Sequence, residues 1–279
     1  MSNTTSFTIE GIERSFSIEN APEFKSGVDE VLSNEAQDIA YHQPWYNEGY
    51  VESDFLSKEE FETLISGLTE SISKLIQQEC GIDTTGFTLE NYHHFVKKDE
   101  DHYKIVKRTR DLFSGDFSFS VKSLIPRLEK ILNFKLTDHD PVANDTMHII
   151  VRINRPLSTD YNPPHKDIYE GVDKGFIPQF INFWIPIAGV TEKSSLPLAP
   201  KSHFINEKDI VRTFEGAHIE GNTYRVRMIK SWEGKSDLVR SKVDYGQVLI
   251  FTSHLIHGLA VNDETDKSRV ALEFRLFKA

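Results

Sequence analysis

Near residue 147 the hydrophobic period of this chain changes from helical to two, and that change limits the folds open to it. Upstream, Phe61, Leu64, Ile65, Leu68, Ile72, Leu75 and Ile76 recur at helical intervals behind a capping-box spacing, Ser57-Lys58-Glu59-Glu60, and stop near Cys80-Gly81. A second stripe, Leu124, Ile125, Leu128, Ile131 and Leu132, predicts a helix over about 121–134, with Pro126 in the first turns where proline is tolerated. Downstream, Met147, Ile149, Val151 and Ile153 alternate with His148, Ile150, Arg152 and Asn154. The last strand repeats the pattern, Val270, Leu272, Phe274 and Leu276 against Arg269, Ala271, Glu273 and Arg275. Strands with one apolar and one mostly polar face suit a sheet that helices cover on one side and that lines a wet cavity on the other.

Further strands are expected at 179–186, 194–199, 223–230, 246–252 and 255–261, with Asp244-Tyr245-Gly246 as a turn. Eight short strands make a jelly-roll barrel, an architecture that encloses ligand cavities. The expected fold is therefore mainly β with a helical buttress around a double-stranded β-helix. We expect a single domain over 1–279, in which 1–146 supply an N-terminal arm and supporting helices and 147–279 the barrel core. Residues 1 to about 46 are polar and weakly periodic, so they are expected to wrap the domain and contribute an edge strand. Residues 87–116, rich in charges and aromatics, read as irregular, and 204–241 reads as a long charged excursion.

The charge balance narrows the partners. Thirty-two Lys and Arg against 43 Asp and Glu give a net charge of −11, which phosphate backbones and anionic lipid repel, so neither nucleic acid nor a membrane is an expected partner. Hydrophobic residues at 38% and charged residues at 27% are ordinary for a globular protein. The lone Cys80 has no internal partner for a disulfide, no apolar leader precedes Pro22, and no run reaches the roughly 18 apolar residues of a membrane helix. The expectation is a monomeric cytoplasmic protein.

The candidate chemistry lies in Asn162-Pro163-Pro164-His165-Lys166-Asp167 and its distant counterpart His254-Leu255-Ile256-His257-Gly258-Leu259. On an extended strand His165 and Asp167 leave the same face about 7 Å apart, where both can converge on one ion. Two imidazoles and a carboxylate on one face of a metal, with the opposite positions open, are the donor set of non-haem Fe(II) oxygenases. Either His257 or His254 supplies the third ligand on this reading. His93 and His94 are adjacent, so they point apart and are not expected to share a metal.

With these residues in place the chain resembles the Fe(II)/2-oxoglutarate-dependent dioxygenases, and within them the phytanoyl-CoA dioxygenase-like branch. Besides the triad, Phe183-Trp184-Ile185-Pro186 and the turn Pro200-Lys201-Ser202-His203 are similar to that branch's tryptophan-bearing strand and small-residue turn, with Lys201 in place of the usual glycine. The likeness covers about Met147 to Phe277, and Glu48 to Phe61 resembles the family's lead into its first helix. The resemblance favours His257 as the third ligand, since His-Gly followed by a strand and an arginine a dozen residues on is the family pattern. It makes Arg269 the guanidinium that grips 2-oxoglutarate, with Arg275 its rival on the same strand face, and it turns Trp184 and Asn182 toward the cosubstrate pocket. Fe(II), 2-oxoglutarate and O2 are the implied cofactors, and oxidation of an unactivated C–H bond is the implied reaction. Hydroxylation is the default outcome and oxidative cyclisation or desaturation the alternatives, while the presence of Asp167 disfavours a halogenase.

The substrate implied is a small molecule of specialised metabolism derived from an amino acid, with acyl-CoA hydroxylation as runner-up and a jelly-roll binding protein without turnover as the rival from another class. Arg108, Arg110 and Arg152 are cationic in an acidic chain and are the candidates for binding a carboxylate on that substrate.

Overall fold

The first helix forms where its local signals say it must. In the computed structural model, which describes residues 3–19, 22–110, 112, 121–142, 144–146, 149–219 and 222–279, the chain begins with β1 (Asn3–Ile9) and β2 (Ile12–Glu19), then β3 (Lys25–Ser26) and β4 (Tyr50–Asp54). Helix α1 (Lys58–Cys80) follows. The Ser57 backbone N–H donates to Glu60 Oε2 at 2.8 Å while the Glu60 N–H donates to Ser57 Oγ at 3.3 Å, and Gly81 closes the helix in the left-handed region at φ 66°. Arg127 grips the same Glu60 carboxylate through both terminal nitrogens, at 2.8 and 2.7 Å, and ties the second helical layer to the start of the first.

Next come α2 (Tyr92–Phe95), α3 (Asp99–Arg108) and α4 (Ile125–Leu132), the last entered through a 3-10 turn at Val121–Leu124. The short strands β5 (Leu136–Thr137), β6 (His139–Asp140) and β7 (Asp145–Thr146) lead to β8 (Ile149–Asn154), and α5 (Tyr169–Asp173) follows. The remainder is β9 (Phe180–Ala188), β10 (Pro197–Leu198), β11 (Ile210–Arg212), β12 (Ala217–Ile219), β13 (Asn222–Tyr224), β14 (Ile229–Trp232), β15 (Asp237–Arg240), β16 (Gln247–Thr252) and β17 (Arg269–Lys278).

The major sheet runs β4-β16-β9-β17-β5, with β8 also on β17, and the second runs β10-β15-β1-β2-β12-β13. Apolar faces settle their packing. Leu64, Leu68, Ile72 and Ile76 of α1, with Leu128 and Leu132 of α4, bury against Val151, Phe183, Ile185, Ile250, Leu272 and Phe274 on the outer face of the major sheet. Each such side chain contributes roughly 1.5–3 kcal/mol when fully buried. Its inner face carries Trp184, Leu249, Phe251 and Ala271, and the second sheet brings Phe7, Ile9, Phe16, Ile18 and Leu238 to a further core around Tyr169, Ile256 and Leu259. The result is a double-stranded β-helix buttressed by helices. No helix among the described residues is long and apolar enough to cross a membrane.

Several expectations need correction. The arm does more than add an edge strand: β1 and β2 form a hairpin over Glu10-Gly11, both with positive φ, and lie inside the second sheet, β1 pairing with β15 and β2 with β12. Residues 99–108, read as irregular, are helical. The 204–241 excursion supplies strands to that sheet and to the three-stranded sheet β14-β11-β3. The strand expected at 223–230 is divided between β13 and β14, that at 194–199 shrinks to β10, and 255–261 is not a strand, because His257 makes only isolated bridges there. Met147 and His148 lie outside the described residues.

Candidate metal centre

Two chain segments far apart in sequence meet at the site. The His165 N–H donates to the His257 carbonyl at 2.9 Å and the His257 N–H donates back at 3.1 Å, so the two histidines face each other as a single antiparallel pair. Gly258 allows this approach: its φ is 136°, and a Cβ there would lie 2.5 Å from the Pro163 carbonyl oxygen. Each imidazole then donates from Nδ1 to the carbonyl two residues earlier, His165 to Pro163 at 2.7 Å and His257 to Leu255 at 3.0 Å. A carbonyl only accepts, so the proton sits on Nδ1 and Nε2 is left with its lone pair free.

Those Nε2 atoms point at Asp167, 3.6 Å from Oδ1 for His165 and 3.5 Å from Oδ2 for His257. One donor atom from each of the three residues lies within 4.8 Å of the other two. Burial raises the Asp167 carboxyl, but Arg275, His257 and His165 outweigh it and hold the group well below the usual carboxylate range. Burial pushes the His257 imidazole down to about 4. At neutral pH the site therefore presents a neutral His257 imidazole and an ionised Asp167 carboxylate, protonation states that suit a divalent cation.

On the inner face of β17 the register sets Arg269 opposite Asn154, Glu273 opposite Trp184 and Arg275 opposite Asn182. Arg269 is 1% exposed. Its Nη1 donates to Asn154 Oδ1 at 2.5 Å, its guanidinium carbon lies 5.1 Å from the Trp184 ring centre, and its Nε and Nη2 have no protein partner, nor has Trp184 Nε1. Burial lowers Arg269 to about 10, which leaves it charged at neutral pH. A buried, charged guanidinium with unsatisfied donors fits a ligand carboxylate, which the fork of Arg binds through two parallel hydrogen bonds. The donor sets thus fit both iron and 2-oxoglutarate.

The other sequence candidates fall elsewhere. Asn182 faces inward, but its amide donates to Asp167 Oδ2 at 2.8 Å. Arg152 reaches the inner face and its Nε donates to Glu273 at 2.7 Å. Arg108 sits on the outer helical layer 3.5 Å from Glu79, and Arg110 is exposed just after α3. His254, the competitor for the third ligand, is buried with Nε2 3.4 Å from the Gln37 carbonyl and does not join the triad.

Sequence reasoning named Arg275 only as the rival of Arg269 and missed its contact with the triad, where it donates through Nη2 to Asp167 Oδ1. It also missed Lys166, whose Nζ makes a buried ion pair with Glu207 at 2.7 Å. The extended backbone expected at His165-Lys166-Asp167 was the available signal for Lys166, since the residue between two side chains on one face points to the other; the structure has only an isolated bridge at His165 there. Lys201 takes the left-handed conformation, φ 65°, that the glycine it replaces would adopt freely.

Among solved structures, the chain is similar to the apo form of EctD from S. alaskensis, at 14% identity over 92% of this chain and 84% of that one, with a TM-score of 0.47. It is similar to the non-heme, alpha ketoglutarate dependent carbocyclase SnoK from nogalamycin biosynthesis, at 16% identity over 84% and 82% of the two chains, with a TM-score of 0.45. A third similar structure is the non-heme monooxygenase ThoJ in its apo form, at 12% identity over 84% and 75%, with a TM-score of 0.46. No curated protein matches the sequence. The family model for phytanoyl-CoA dioxygenase (PhyH) matches residues 45–271, a span that contains His165, Asp167, His257 and Arg269. The chain belongs to the phytanoyl-CoA dioxygenase family and is an Fe(II)/2-oxoglutarate-dependent dioxygenase.

Proposed function

We propose that this dioxygenase oxidises an unactivated C–H bond of a small, carboxylate-bearing molecule, such as an amino-acid-derived metabolite, with hydroxylation as the default outcome. In this reading His165, Asp167 and His257 hold iron, and Arg269, stacked over Trp184, holds the distal carboxylate of 2-oxoglutarate. Iron with 2-oxoglutarate and O2 supplies the oxidising power, the cosubstrate leaving as succinate and CO2. The protein contributes the rest. The Nδ1 hydrogen bonds fix both imidazoles, Arg269 orients the cosubstrate, and the apolar wall of Trp184, Leu249 and Phe251 limits water around the reacting carbon.

The observation that carries the substrate class is the charge on the inner face. Arg152, Arg269 and Arg275 stand there against Glu273 and Asp167, a surplus of one positive charge. A divalent cation and a dianionic cosubstrate cancel each other and leave that surplus, which a single substrate carboxylate neutralises. The experiment is to measure 2-oxoglutarate decarboxylation with a panel of small amino-acid-derived carboxylic acids and their neutral amides. Stimulation by the acids, diminished in Arg152→Ala and unchanged in Arg108→Ala and Arg110→Ala, is the expected result. Equal stimulation by the amides would eliminate the anionic substrate.

A further inference from the structure

Arg275 lies beyond the span that the family model matches, residues 45–271, yet its guanidinium is at the metal ligands. Arg275 of β17 and Asn182 of β9 are direct cross-strand partners, so their side chains leave the inner face side by side. Between them they take both oxygens of Asp167, Arg275 Nη2 donating to Oδ1 and Asn182 Nδ2 to Oδ2 at 2.8 Å. Phe180, two residues before Asn182 on the same face, lies with its ring centre 4.8 Å from the Arg275 guanidinium carbon and restrains its plane. The final torsion of an aspartate is intrinsically broad, so a lone Asp167 would rotate among many orientations. Two donors from two strands, one on each oxygen, remove that freedom. The side chain of Asp167 is 4% exposed, so water does not substitute freely for either donor.

We propose that Arg275 and Asn182 are paired positioning residues that lock the rotation of the Asp167 carboxylate, so that it presents one oxygen to the metal while the other stays hydrogen-bonded. The proposal rests on the reading of His165, Asp167 and His257 as the metal ligands. It differs in sign from a purely electrostatic role. A guanidinium beside the site repels a divalent cation, so if charge alone mattered, removing Arg275 would tighten metal binding. If orientation matters, removing it weakens binding, and partners of metal ligands typically account for roughly 10- to 100-fold in affinity. Because the two residues restrain one rotor, losing either frees it, and their effects do not multiply.

The test is Co(II) titration of the metal-free protein without cosubstrate or substrate, read as the dissociation constant and the ligand-field spectrum, for wild type, Arg275→Met, Asn182→Ala and the double variant. Thermal melts of the metal-free proteins serve as the folding control. The expected result is weaker Co(II) binding, about tenfold or more, in each single variant, a changed spectrum, and a double variant little worse than either single one. Arg275→Lys, which keeps the charge without the planar fork, should remain weak. Unchanged or tighter binding in Arg275→Met, full recovery in Arg275→Lys, or multiplicative losses in the double variant overturns the proposal. His257→Ala separates this from the underlying reading: if it binds Co(II) like wild type, the metal assignment falls and the lock falls with it. Wild-type binding in Arg275→Met beside lost binding in His257→Ala overturns the lock alone.

Discussion

Replacing Arg269 tests how the cavity recognises its cosubstrate. The guanidinium is buried, charged and short of partners at Nε and Nη2, so a bound carboxylate satisfies it and is satisfied by it. Arg269→Ala leaves that carboxylate desolvated and unpaired, a loss of about 3–5 kcal/mol. At 1.4 kcal/mol per factor of ten, 2-oxoglutarate binding weakens by between about 100-fold and a few thousand-fold. Arg269→Lys loses the fork but keeps a charge, so it weakens less. Burial already lowers the arginine to about 10, and a lysine in its place starts from a lower ordinary value and loses its proton more readily. The lysine variant's deficit therefore grows as pH rises above neutrality, while wild-type binding holds until near pH 10. Calorimetric titration of 2-oxoglutarate into the Co(II)-loaded protein at several pH values reads all of this. An Arg269→Ala variant that binds 2-oxoglutarate like wild type, or a lysine variant whose deficit is independent of pH, would refute the reasoning.

His165→Ala, Asp167→Ala and His257→Ala should each abolish 2-oxoglutarate turnover while keeping the far-UV circular dichroism of the wild type, because the helical and sheet cores lie elsewhere. Gly258→Ala should push His257 away from His165, since the new methyl meets the Pro163 carbonyl at 2.5 Å, and Co(II) titration should show weaker binding. Lys201→Gly should stabilise the protein by about 1 kcal/mol in urea unfolding, because glycine takes the observed φ of 65° without steric cost. In acid, burial holds the His203 and His257 imidazoles down to about 4 against an ordinary value near 6.5. Below that ordinary value the unfolded chain binds protons that the fold refuses, so stability falls from pH 6.5 to 4 by roughly 3 kcal/mol per group, visible in urea midpoints across that range.

Helix α1 was legible in the sequence because everything that defines it is local: the apolar stripe, the Ser57–Glu60 exchange and Gly81. The alternating faces of β8 and β17 were legible for the same reason. Helix α3 was not, since only His102 and Ile105 of its ten residues are buried, too few to set a period. Its charge order was the overlooked signal, with Asp99, Glu100 and Asp101 in the first turn and Lys107 and Arg108 in the last, each favourable to the helix dipole. The hairpin β1–β2 buries only Phe7, Ile9, Phe16 and Ile18 among its large apolar side chains, too few to stand out in a polar stretch, and β15, its neighbour in the sheet, lies more than two hundred residues away, a pairing that nothing in a local pattern states.

Arg275 shows where spacing along a strand stops being informative. Six residues of strand do separate it from Arg269 by about 20 Å, which bears on the cosubstrate's far end and not on Asp167. The relevant distance runs across strands, through the register that sets Arg275 beside Asn182 and through the segment that delivers Asp167 to both. That register also explains the order of charges on the inner face. Arg152 answers Glu273, Arg275 answers Asp167, and Asn154 answers one nitrogen of Arg269. Among the described residues of this face, the buried donors left over are Nε and Nη2 of Arg269 and Nε1 of Trp184, whose ring lies beside the guanidinium. A buried guanidinium left with unsatisfied donors, on a face whose other charges are paired, is the place a ligand carboxylate would complete, and under the proposed function that carboxylate is the far end of the cosubstrate.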